Sequence, residues 1–353
     1  MKICFFDDEP EIYPYQYGGK ARTIINLANE FIKRNDVEKV TILSRSIKAA
    51  EKEFTKDGVL YVSLDDTNTL QKIKEACDEY DIINIHCCSF TFPIVKCKAK
   101  KVYFLHDVLI ATADKGSHLD KALGGLFDCV LAPSDFAKEI YDKYKLLLGE
   151  QTNCRVIPRH INKELFNKKT KEEILNDCNS PKVLKDAIKK YQRIIFFPNR
   201  PVAEKGGNYI LSVAPILANN NTCIIGPFDE DTLSKNIINT GWISSNYMEY
   251  YYSAADVTCN FSLLPESFSQ VCIESLCCAT PVVSFGSGNI YNLSKLTKAI
   301  FICDKDNDSI IKNINEAALF KNIDQERAKI LNLFDKDKIV DEYIKLYREL
   351  MEE

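Results

Sequence analysis

Histidine is scarce in this chain, with four in 353 residues, scattered along the sequence. The 14 cysteines include no Cys-x-x-Cys pair, so neither a structural metal nor a dithiol redox centre has its ligand spacing. No signal peptide opens the sequence and no apolar run reaches spanning length, so the expectation is a cytoplasmic protein, with peripheral contact at the inner membrane face left open. Charge of one sign is lacking too. A net charge of −4 offers no field to nucleic acid, and the local run Lys96 to Lys101 (K-C-K-A-K-K) reads as a solvated edge before a strand. No internal repeat or low-complexity tract interrupts the chain.

What is present is core. Hydrophobic residues make up 46% of the chain, enough for two domains of ordinary size. Many cysteines sit inside apolar runs (Cys4, Cys223, Cys259, Cys272, Cys277, Cys303) and read as small core residues of a reducing compartment. Short β-rich runs alternate with helical patterns: 2–6, 40–43, 59–62, 82–85, 102–105, 129–132 and 155–158, then 193–198, 222–226, 256–260, 281–285 and 299–303. Ala21, Ile24, Ile25, Ala28, Phe31 and Ile32 make one helical stripe between the first two runs. Strands separated by helices imply an α/β fold of parallel, doubly wound sheets. A polar stretch at 162–191, broken by N-S-P at 179–181, marks a junction. The expected division is 1–165, 166–335 and a C-terminal amphipathic helix in 336–353 that packs back on the first domain, with ligand chemistry in a cleft between the domains at the strands' carboxyl ends.

The most informative stretch runs from Leu264 to Phe285, L-P-E-S-F-S-Q-V-C-I-E-S-L-C-C-A-T-P-V-V-S-F. Pro265 keeps Glu266 in a loop, Ser267 and Ser269 are candidate N-caps, and Gln270 to Cys278 reads as a compact helix carrying Glu274. A helix N-terminus beside a parallel sheet offers amide N–H groups and a positive dipole end to a phosphate. Carboxylates on both sides of that terminus suit hydroxyls flanking a diphosphate, as a nucleotide-sugar presents them. A solvated loop Glu266 and a satisfied, partly buried Glu274 fit the same residues.

Three further groups follow strands. N-R-P-V-A-E-K-G-G after the run at 193–198 puts Arg200 and Lys205 before a helix, where two cations neutralise a diphosphate or else stand in solvent. Y-G-G-K places Gly18, Gly19 and Lys20 at a helix start, which is a ligand approach or a plain turn. His106-Asp107 follows the run at 102–105, and Arg159-His160 falls at the domain junction.

Taken together and in order, G-G-K, H-D, A-P-S-D-F-A-K-E at 132–139, V-I-P at 156–158, R-P-V-A-E-K-G-G at 200–207 and P-E-S-F-S-Q-V-C-I-E at 265–274 resemble the retaining glycosyltransferases of family 4. The resemblance covers nearly the whole chain and rests on the E-x7-E and R-x4-K spacings. It implies a GT-B fold, with two Rossmann-like domains facing a cleft: an acceptor domain first and a nucleotide-sugar donor domain second. It implies a metal-independent, retaining hexosyl transfer from a nucleoside diphosphate sugar, UDP ahead of GDP, to a hydroxyl of a glycan, lipid-linked or small acceptor, with no cofactor. Arg200 and Lys205 would hold the diphosphate, and Glu266, Ser267, Phe268 and Ser269 the sugar and phosphate. Glu274 would hold the ribose, Gly18, Gly19 and Lys20 the donor from the first domain, and His106 the transferred sugar. The chain departs from the family at Ser267 and Ser269, often Gly, at Arg159-His160, often Asn-Gly, and at G-P-F in 226–228, often G-x-G. A sugar-nucleotide epimerase or a phosphorylase of the same architecture and an inactive nucleotide-sugar-binding scaffold are the rival readings. The loop 7–17, rich in aromatic and acidic residues, suits a polar acceptor or covers a core edge.

Overall fold

The computed structural model describes residues 1–7, 19–44, 53–65, 69–86, 97–106, 127–148, 152–199, 202–218, 220–228 and 235–353. In chain order the elements are β1 (Lys2–Asp7), α1 (Gly19–Phe31), β2 (Lys39–Ser44), β3 (Glu53–Lys56), β4 (Val59–Ser63), α2 (Thr69–Glu79), β5 (Ile82–Ile85), β6 (Lys100–Phe104), β7 (Cys129–Ala132), α3 (Asp135–Leu148) and β8 (Cys154–Val156). They continue with α4 (Lys171–Asn176), α5 (Lys182–Lys190), β9 (Arg193–Phe196), α6 (Gly207–Ala218), β10 (Thr222–Gly226), β11 (Ile237–Asn239), α7 (Met248–Ala254), β12 (Val257–Asn260), α8 (Gln270–Cys277), β13 (Val282–Ser284), α9 (Asn289–Leu296), β14 (Ile300–Ile302), α10 (Asn307–Ala318), α11 (Ile323–Leu333) and α12 (Lys336–Glu352). Two compact units result, one of Met1–His160 with Lys336–Glu353 and one of Ile161–Asp335.

The first unit holds a sheet in the order β3-β4-β2-β1-β5-β6-β7-β8, every neighbouring pair parallel except β3 with β4. That antiparallel edge was not anticipated from the sequence. It depends on Asp57-Gly58, both with positive φ (52° and 84°), the two-residue turn that matches strand twist in a hairpin. The inner strands are apolar on both faces because helices cover both, and Ile82 to Ile85 is buried throughout. The apolar stripe of α1 buries Ala21, Ile24, Ile25, Leu27, Ala28 and Phe31. Helix α12 closes this core: Tyr343 and Tyr347 meet the Phe31 ring edge-on at 5.8 and 5.7 Å, and Asn84 Nδ2 donates to the Tyr347 hydroxyl at 2.5 Å.

The second unit holds a parallel sheet in the order β11-β10-β9-β12-β13-β14. Ile195, Ile224, Val257, Cys259 and Val283 of the sheet share one core with Ile210, Val213, Ala214 and Leu217 of α6 and with Ile310 and Ile314 of α10. In each unit the chain leaves the middle of the sheet in one direction and returns to continue in the other. The reversal falls between β1 and β5 in the first unit and between β9 and β12 in the second. At such a point the loops beyond the strand ends diverge and leave room for a ligand.

Candidate functional site

In the second unit the loops leaving β9 and β12 meet. Residues Ala203–Lys205 form a short 3-10 turn, and Lys205 Nζ reaches Glu266 Oε1 at 2.6 Å. The turn stays against the β12 exit because Leu263 N–H donates to Glu204 O at 2.9 Å and because residue 206 is glycine. Gly206 has φ +76°, and a Cβ there would lie 2.2 Å from the Phe261 carbonyl oxygen. The protein's own backbone thus requires glycine at 206. Glu266 is held from the far side, where Asn289 N–H donates to its carbonyl at 2.8 Å and Asn289 Nδ2 to that of Phe268 at 3.1 Å. Lys205 and Glu266 remain 30% and 21% exposed, so the pair adds only about 0–1 kcal/mol to stability. Its effect is to keep a cation and a carboxylate side by side at the strand ends.

Helix α8 begins next to them. Ser269 does occupy the N-cap position, but it is left-handed (φ 66°, ψ 62°) and its side chain does not cap. The cap geometry needs an extended residue, and in the left-handed conformation the hydroxyl turns inward. There it contacts Cys272 Sγ at 3.0 Å and receives Asn260 Nδ2 at 3.3 Å, and Asn199 Nδ2 in turn donates to Asn260 Oδ1 at 3.0 Å. This polar chain ties the β9 exit to the start of α8. The Cys272 and Ile273 amides donate to the Ser269 carbonyl at 3.2 and 3.4 Å, and those of Gln270 and Val271 precede any intrahelical acceptor, as at any helix start. Ser267 and Phe268 are buried, with the Phe268 ring edge-on to Phe334 at 5.5 Å. Glu274, one turn into the helix, is 0% exposed and accepts the Tyr252 hydroxyl at 3.1 Å.

In the first unit the polar groups again collect at the reversal. Asp7, at the end of β1, is buried and takes Lys20 Nζ at 2.7 Å; Lys20 is thereby anchored rather than solvated. Gly19 opens α1. His86, directly after β5, puts Nδ1 2.6 Å from His106 Nε2, and Arg159 Nη2 lies 3.0 Å from His106 Nδ1. A guanidinium only donates, so His106 Nδ1 is an acceptor, its proton sits on Nε2, and that proton is given to His86. The chain of donors fixes both tautomers and leaves His86 with its proton on Nε2. Burial, followed by the neighbouring Lys20 and Arg159 charges, pushes the His86 pKa well below its ordinary 6.5. For His106 burial acts first, then Arg159, His86 and Lys20, in the same direction. Both rings are neutral at pH 7, so His106 is held as an oriented neutral dipole.

The structure therefore gathers Lys205, Glu266, Ser267, Phe268 and Ser269 around the start of α8 in the second unit, encloses Glu274 farther along that helix against Tyr252, and places Gly19, Lys20 and His106 in the first unit. Gly18, Arg200, Asp107 and residues 8–17 of the 7–17 loop lie outside the described residues. Reading the sequence missed His86, although it follows a strand as His106 does, and missed Asn260 and Tyr252, which look like strand-end and helix-core residues until their partners are known. Arg159, read as a junction residue, belongs to the histidine pair.

Residues 181–330, all in the second unit, match the family model described as glycosyl transferases group 1. No curated protein matches the chain in sequence. Solved structures match it over its length. Sucrose-phosphate synthase from Thermosynechococcus elongatus superposes with a TM-score of 0.74 at 16% identity, covering 99% of this chain and 98% of that one. HepE of Anabaena, solved with UDP and glucose, gives 0.74 at 16% identity, with 99% and 100% covered. An E. coli protein solved with UDP-2-fluoro glucose gives 0.70 at 13% identity, with 99% of each chain covered. The fold is GT-B. At these identities the likeness to the solved structures concerns fold, and the family match concerns the unit that carries Lys205 and Glu266.

Proposed function

We propose that the protein is a retaining glycosyltransferase that moves a hexose from a nucleoside diphosphate sugar, UDP ahead of GDP, to an acceptor hydroxyl without a metal ion. The observation that carries this reading is the Lys205–Glu266 contact at 2.6 Å beside the start of α8, inside the segment that matches group 1 glycosyl transferases. The UDP preference is supported by the solved relatives of the same fold that hold UDP, UDP with glucose or UDP-2-fluoro glucose.

In this mechanism Lys205 and Arg200 take the charge that grows on the departing diphosphate, with the α8 amides as further donors. Fixed cations and amides aimed at developing charge supply roughly 10² to 10³ in rate for each group removed. Glu266 accepts a sugar hydroxyl once the diphosphate has drawn Lys205 toward itself, and the backbone of Ser267, Phe268 and Ser269 lines the same place. Glu274 is assigned to the ribose, its orientation set by Tyr252. The acceptor oxygen attacks the anomeric carbon from the face the phosphate leaves, the glycosidic C–O bond to phosphate breaks, and the leaving phosphate oxygen takes the acceptor proton. Gly18, Gly19 and Lys20 are assigned to substrate in the first unit. His106 is assigned to the transferred sugar as a neutral polar ring, held in place by His86 and Arg159, since burial and the Arg159 charge keep its pKa well below 6.5.

The test is donor turnover. With a UDP-sugar, Lys205→Ala is expected to lower kcat by about 100-fold or more while the fold is kept. Unchanged turnover overturns the diphosphate assignment, and binding without turnover in the parent protein favours the scaffold reading.

A further inference from the structure

Two thiols lie outside everything assigned above. Cys77, in the second half of α2, is buried in the apolar cluster that also contains Cys4, Tyr80 and Ile83, and Cys97, where the chain enters β6, is half-buried against that cluster. Ala99 N–H donates to the Cys77 carbonyl at 3.3 Å, and Cys97 Sγ lies 3.9 Å from the same oxygen. The two thiols are near enough for each to shift the other's pKa. The segments are thus pinned together by backbone, with the Cys97 sulfur against the main chain of Cys77.

The environment makes the two thiols unequal. The neighbouring Cys77 thiol, the Ala99 amide and the Lys101 charge favour a Cys97 thiolate against the opposing effect of burial, so its pKa is lowered. The neighbouring Cys97 thiol, followed by burial, raises that of Cys77. Elsewhere burial pushes Cys4, Cys129, Cys223, Cys272 and Cys303 upward and makes them inert. A partly exposed thiol of lowered pKa with a second thiol beside it is the arrangement that oxidises reversibly.

We propose that Cys97 and Cys77 form a dithiol site oxidised by hydroperoxides to an intramolecular disulfide joining the end of α2 to the start of β6. The Cys97 thiolate attacks one peroxide oxygen, the O–O bond breaks, and the released hydroxide takes a proton to become water. Cys97 is left as a sulfenic acid. The Cys77 sulfur then displaces the sulfenic hydroxyl, which leaves with the Cys77 proton as a second water. Two thiols lose two electrons, and one hydrogen peroxide is reduced to two waters. Both cysteines lie at the amino ends of β5 and β6, away from Asp7, His86 and His106 at the carboxyl ends. The site is therefore independent of the proposed transfer reaction.

The test treats the folded, reduced protein with a few equivalents of hydrogen peroxide, blocks the remaining thiols with iodoacetamide and maps the peptides by mass. A linked Cys77–Cys97 peptide, two hydrogens lighter than the reduced pair and restored by dithiothreitol, is the expected result. Cys77→Ser should instead leave a dimedone-reactive sulfenic acid at Cys97, and Cys97→Ser, at the half-exposed position, should give neither product. Alkylation of both sulfurs while other cysteines oxidise overturns the proposal. So does conversion of Cys97 to the sulfinic acid without the link in the parent protein, a result that needs no variant to fold.

Discussion

At the scale of single residues, the histidines set the acid limit of the first unit. His86 and His106 titrate well below 6.5, and burial pushes His160 down to about 4. The unfolded chain takes up protons near pH 6.5 where the folded one does not, so stability is full above that value and falls as pH drops toward 4. For His160 alone the loss approaches roughly 3 kcal/mol at its lower limit, from 1.36 kcal/mol per pKa unit. Urea unfolding at pH 7.5 and pH 5 should show a lower midpoint at pH 5, and His160→Asn should flatten that difference; equal midpoints contradict the buried, neutral assignment. Tyr252→Phe leaves the enclosed Glu274 carboxylate one donor short, with an expected cost of about 1–3 kcal/mol in thermal unfolding.

At the scale of elements, two joints fix the second unit's site. The first is the turn at Gly206 against Phe261. Gly206→Ala places a methyl group into a backbone oxygen at positive φ, and a loss on the order of 3 kcal/mol is expected; a variant as stable as the parent contradicts the packing described. The second is the Asn199–Asn260–Ser269 chain, which holds the start of α8. In the first unit α12 is the joint. Removing residues 336–353 uncovers Phe31 and Asn84, so the truncated chain should aggregate or lose its near-ultraviolet circular dichroism. Much of this was legible in sequence. The strands of both sheets follow from apolar runs of four to six residues, and the α8 boundaries from Pro265 and the helical pattern after Ser269. The β3 edge and the three-residue β11 were not legible, because Glu53–Lys56 is polar and largely exposed and Ile237–Asn239 is too short to show a period. The left-handed Ser269 was hidden as well, since the Asn260 amide that holds its hydroxyl comes from the end of β12 and only the fold brings it near.

At the scale of the whole molecule, each unit places its charged and hydrogen-bonding side chains where its strand order reverses. The E-x7-E and R-x4-K spacings found Lys205 and Glu266 because both motifs are local in sequence. They did not find His86 and Arg159, which follow β5 and β8 and meet through His106. Among nucleotides, UDP is expected to raise the unfolding temperature more than GDP, ADP or dTDP at equal concentration, since stabilisation follows RT ln(1 + [L]/Kd). The central claim is retaining transfer from a nucleoside diphosphate sugar, and time-resolved proton NMR of the protein with UDP-glucose, water serving as acceptor, tests it most directly. Retention requires that α-glucose appear first, and Lys205→Ala should slow its release by about 100-fold or more. Release of β-glucose first, or equal rates from the parent and Lys205→Ala proteins, would contradict it.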